Sequence, residues 1–137
     1  MNKIKAFTLL EVLITVIIIG ILAGLAIPNF TKSRERALDK EAQTVLSLIQ
    51  SAEKMYYMKD ETSYYPSIAN TSVNVNSINS YLRLNLFSAS WDYGINTDAD
   101  TAYTATAGRL NGPSGWNRTW EIIASDTVAR CISGPCP

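Results

Sequence analysis

The chain has 137 residues, enough for one modest domain plus a helix and too few for two cores. Its twelve Lys and Arg balance twelve Asp and Glu, and it has no histidine, which removes the commonest general base and the commonest metal ligand. No glycine-rich phosphate loop, zinc-type cysteine cluster or nucleophile elbow appears, so the sequence argues against an enzyme and against a resident cofactor or metal.

The first six residues, MNKIKA, are basic and polar and end on a small residue, Ala6. Residues 7–27 then read FTLLEVLITVIIIGILAGLAI, apolar except for Glu11 and two threonines. At 1.5 Å per residue, about 21 helical residues span roughly 30 Å, the thickness of a bilayer's hydrocarbon core. A carboxylate inside such a segment costs about 2.5–3.5 kcal/mol on insertion scales, so it marks a function. A secretory signal places its small-residue cleavage site after the apolar core, and the core is discarded. Here the small residue precedes the core, and the apolar helix is expected to survive processing.

This arrangement resembles the type IV pilin and type II secretion pseudopilin family. The residues that carry the likeness are Lys3, Lys5, Ala6, Phe7, Thr8, Leu9, Leu10 and Glu11, followed by Gly20 and Pro28. Ala6 departs from the family's usual glycine. The resemblance implies cleavage between Ala6 and Phe7 by a prepilin peptidase and methylation of the new amine. It implies that Glu11 pairs with the Phe7 amine of a neighbouring subunit in a homo-oligomeric helical filament, raised by an inner-membrane assembly platform. The implied fold is α+β, the pilin fold. A long N-terminal helix, transmembrane in its first half and amphipathic in its second, packs on a small antiparallel β-sheet. The expected organisation is a leader at 1–6, a helix at 7–58 with its membrane and assembly segment at 7–27, and a head at 59–137. The head is expected to be exported from a single-pass inner-membrane anchor, ending in an extracellular pilus or a periplasmic pseudopilus. The function read this way is a structural subunit of a type IV pilus-like filament, serving adhesion, twitching, secretion or DNA uptake. The alternative is a pseudopilin or minor pilin of protein secretion or DNA uptake. A membrane-anchored periplasmic enzyme or binding module is the remote third reading.

Pro28 lacks a backbone donor and clashes with the preceding turn, and neither Gly20 nor Gly24 resists fraying, so a kink or local melting is expected near this stretch. The filament is where melting is expected. Lys32, Arg34, Glu35, Arg36, Asp39, Lys40 and Glu41 form a mixed charge cluster whose i,i+4 neighbours are mostly alike. Pairing with other subunits and a solvated helix face are both open readings. Beyond it, Leu38, Ala42, Val45, Ile49, Ala52 and Tyr56 form one stripe, with Leu48 and Met55 widening it.

Tyr65 precedes Pro66 and ends the helical reading. A Ser/Asn-rich loop with a short strand at 73–75 and a short helix at 77–86 follow. Then the period changes to two: Trp91, Tyr93 and Ile95 on one strand, Tyr103, Ala105 and Ala107 on a second, Trp120 and Ile122 on a third over 119–124, and a last strand over 127–131. From Asp60 onward four arginines face seven acids, a poor electrostatic footprint for nucleic acid. Asp98 and Asp100 are a weak calcium signal, since aspartate favours turns anyway. The triplets at Asn29, Asn70 and Asn117 match the glycosylation pattern, as chance alone supplies in so Asn- and Thr-rich a chain. Phe7, Phe30, Tyr56 and Tyr57 do not form a closely spaced aromatic ladder. Cys131 and Cys136 close a small loop in a segment expected outside the cytosol, which reads as a disulfide.

Overall fold

Good helix formers dominate the stretch after residue 30, and in the computed structural model a long helix, α1, runs over Leu9–Asp60. The structure describes residues 7–60, 63–66, 71–98 and 102–136. The leader, with Lys3, Lys5 and Ala6, lies outside the described residues, as do Asn70 and Asp100. Two compact units divide the chain, Met1–Arg36 and Ala37–Pro137.

In the first unit α1 is helical without a break through Gly20, Gly24 and Pro28. In the single chain, therefore, the expected kink does not become a gap in the helix. Two side chains just after the proline donate to carbonyls just before it. Asn29 Nδ2 reaches Leu25 O and Thr31 Oγ1 reaches Ile27 O, each at 3.4 Å.

In the second unit the remainder of α1 covers a five-stranded antiparallel meander, β1 (Ser72–Asn74), β2 (Trp91–Asp98), β3 (Ala102–Arg109), β4 (Thr119–Ile123) and β5 (Arg130–Ser133), paired in chain order. A short helix, α2 (Val75–Tyr81), follows β1 and is capped by the Asn74 side chain on Ser77 N–H. Register sets Ala105 between Ile95 and Ile122, and Ala107 between Tyr93 and Trp120. The central strand thus carries small residues where both neighbours carry large ones, and Ala42, Leu46 and Ile49 of α1 join these side chains in one buried core with Ile78. Tyrosine rings extend that core. Tyr57 stacks on Tyr64 at 4.8 Å, and Tyr64 meets Tyr103 at 5.0 Å.

Several expectations shift. The buried face of α1 centres on Ala42, Leu46, Ile49 and Glu53, while Leu48 and Met55 are exposed. It includes polar residues because they have partners on the sheet and the following loop. α2 stops at Tyr81 rather than 86, because the Asn79 amide clasps Leu86 through both its N–H and its carbonyl, and Arg83 turns left-handed at φ 53°. The last strand begins at Arg130, after a turn in which Asp126 accepts the Ile123 N–H at 3.2 Å.

Candidate functional site

The helix that carries the sequence signal starts on an N-cap at Thr8. Thr8 Oγ1 accepts the Glu11 N–H at 3.2 Å, and Thr8 O accepts the Val12 N–H at 3.3 Å. The pattern Thr-x-x-Glu was present in the sequence and gives Thr8 a role the composition argument missed. Glu11 lies in the first turn, where the helix dipole favours an anion. From Phe7 to Ile27 the large apolar side chains lie open, Leu9 at 85 % and Ile27 at 68 %. An 18-residue window of this helix has mean hydropathy 2.7 and is long and apolar enough to cross a membrane. Gly20 and Gly24 have nothing within 4 Å of where a Cβ would stand, so another helix could approach closely there.

Glu11 and Phe7 thus share one exposed helix start. An apolar segment of this size needs lipid or other helices to cover it.

The charge cluster divides. Lys32, Arg34, Arg36, Lys40 and Glu41 are exposed, whereas Glu35 and Asp39 are buried. Asp39 is neither solvated nor left for another subunit. Its Oδ1 accepts Arg118 Nε in a buried ion pair and Trp120 Nε1 at 3.1 Å. Two further polar residues clamp the same face. Gln50 Nε2 donates to Ile123 O at 3.2 Å and Asp126 O at 2.7 Å. Glu53 Oε2 accepts the Tyr65 N–H at 2.9 Å, and its Oε1 has no hydrogen-bond partner among the described residues. Burial pushes the Glu53 carboxyl up to about 8, against a smaller opposing effect from the Tyr65 N–H. These clamps leave no local signal in the sequence, because their partners lie as many as 81 residues away.

Cys131 and Cys136 are joined by a disulfide, with Cα atoms 5.7 Å apart. Among the described residues no group of three or more His, Cys, Asp or Glu is placed to hold a metal ion.

Residues 1–27 match the family described as the prokaryotic N-terminal methylation motif. The chain is 44% identical over 66 residues to the type IV major pilin protein PilA of Myxococcus xanthus, covering 48% of this chain and 29% of that protein. It is 40% identical over 67 residues to the type II secretion system core protein G of Vibrio cholerae, covering 49% of this chain and 44% of that one. To the competence protein ComGC of Streptococcus pneumoniae (strain TIGR4) it is 39% identical over 57 residues, covering 42% of this chain and 53% of that protein. The matched segments therefore span about half or less of these relatives. No solved structure matches the chain.

Proposed function

The chain belongs to the type IV pilin and pseudopilin superfamily, and we propose that it is a non-enzymatic structural subunit of a helical filament of the secretion or competence kind. The observation that carries this is the first unit: an apolar helix open on every side, capped at Thr8, with one carboxylate at its start. Before assembly the helix anchors the chain in the bacterial inner membrane. A prepilin peptidase cuts between Ala6 and Phe7, and the amine of Phe7 is methylated. The mature subunit then consists of α1, over Leu9–Asp60, and the head that follows it. An assembly platform draws subunits out of the membrane, and each apolar helix exchanges lipid for its neighbours' helices. In that core Glu11 faces the Phe7 amine of the next subunit, so two charges that are costly alone are neutralised together. Pro28 and the glycines before it supply the stretch that unwinds in the filament.

Support for the secretion or competence kind comes from the coverage. The matched segment is a larger part of core protein G and ComGC than of the Myxococcus pilin. A long surface pilus is the second reading, favoured by the identity to that pilin and by the disulfide-closed chain end.

Glu11→Gln tests the mechanism. The variant should insert, be processed and fold, yet fail to enter filaments. Wild-type filament yield from a processed, stable variant would remove Glu11 from assembly. Mass spectrometry of the mature chain should show Phe7 first, and a mature chain beginning at Met1 would exclude processing. Long homogeneous filaments in shear fractions would favour the pilus over the shorter assembly.

A further inference from the structure

Both donors on Asp39 are backed by the same small loop. Cys131, where the disulfide loop begins, sits opposite Trp120 in the β4–β5 register, across an irregularity in the pairing. Gly134, inside the loop, has φ +85°. A Cβ there would overlap the Asn117 carbonyl oxygen and lie 2.8 Å from Arg118 Cα and Cβ. Only a residue without a side chain lets the loop's main chain seat on the main chain of Arg118. From that backbone the Arg118 side chain reaches Asp39. Its guanidinium lies 5.3 Å from the Trp116 ring and 5.9 Å from the Trp91 ring, and Nη1 donates to Trp116 O at 3.2 Å. The chain's three tryptophans therefore all stand at this latch, since Trp120 itself donates to Asp39.

We infer that the Cys131–Cys136 loop is a positioning element for the Asp39 latch, holding Arg118 and Trp120 in place as its two donors and so fixing the head's part of α1 on the sheet. A buried ion pair repays desolvation only when its geometry is held closely. Arg118 lies just before β4, where its carbonyl accepts the Arg109 N–H at 2.9 Å, and the seated loop adds a second hold on the same backbone. When the two thiols exchange with an oxidised dithiol, that disulfide is reduced as the Cys131–Cys136 bond forms. Closing the loop then tightens a contact between helix and sheet that neither cysteine touches.

A double-mutant cycle on the full chain in detergent tests this. Thermal midpoints are compared for the oxidised protein, Cys131→Ser/Cys136→Ser, Asp39→Asn and the combined variant. The loop's effect on unfolded-chain entropy is the same with or without Asp39, so it cancels in the cycle. The midpoint loss caused by Asp39→Asn should shrink by about half or more once the disulfide is gone. Equal losses in both backgrounds would overturn the inference. Trp120→Phe, which removes one donor, supplies the same cycle if Asp39→Asn does not fold. Gly134→Ala keeps both cysteines and should reduce the near-ultraviolet tryptophan signal, as should reduction of the wild type with dithiothreitol. A tryptophan spectrum unchanged by both would equally overturn it.

Discussion

The two units of this chain solve the same physical problem in opposite ways. In Ala37–Pro137 apolar side chains find one another across helix and sheet, and even the buried carboxyls have partners. In Met1–Arg36 the apolar side chains of the helix point outward along its length. The head is stable by its own packing; the helix is complete only in lipid or against other helices. Burial of apolar area drives both, and what differs is where the covering surface comes from. A substitution in the first unit should therefore change assembly and leave head stability alone, and one in the second should do the reverse.

The largest expected effect is Glu11→Gln, which should abolish incorporation into filaments while the head's melting temperature stays at the wild-type value. A parallel loss of head stability would break the comparison. Next is Asp39→Ala, which removes the buried carboxylate that accepts both Arg118 Nε and Trp120 Nε1 and should cost about 3–5 kcal/mol of head stability. Chemical denaturation of the full chain measures it, and membrane insertion should be unchanged.

Glu53→Gln is smaller and depends on pH. The folded carboxyl titrates near 8 and the unfolded one near 4.5, so the folded state holds its proton more tightly. Stability from this group is fully present below about 4.5 and is lost as pH rises to about 8. Relative to the wild type, Glu53→Gln should gain stability across that window, on the order of a few kcal/mol by its upper end. Parallel melting-temperature profiles for the two proteins from pH 5 to 9 would show that Glu53 is ionised throughout. Smallest is Thr8→Ala, which removes the cap and should cost about 1 kcal/mol at the helix start. Faster amide exchange at Glu11 and Val12, with an unchanged head, would sharpen the contrast between the units.

Much of this was open to reading in the sequence because the signals are local. Apolar continuity from Phe7 to Ile27, the lone Glu11, the period-two strands at Trp91 and Tyr103 and the closely spaced cysteines each lie within a few residues. Continuity and periodicity are enough to specify a membrane-length helix, a meander and a short covalent loop. The tertiary structure decided which side of the second half of α1 faces inward. The stripe of Leu38, Ala42, Val45, Ile49, Ala52 and Tyr56 lies in or against the core, but the helix also turns Asp39, Gln50 and Glu53 toward the sheet and the loop that follows, and leaves Leu48 and Met55, which widened the stripe toward a second face, exposed. A buried polar side chain is tolerable only where a distant donor or acceptor meets it, and sequence spacing says nothing about partners 76 or 81 residues away. The same holds for Gly134, whose missing side chain matters only because the backbone of Arg118 lies against it.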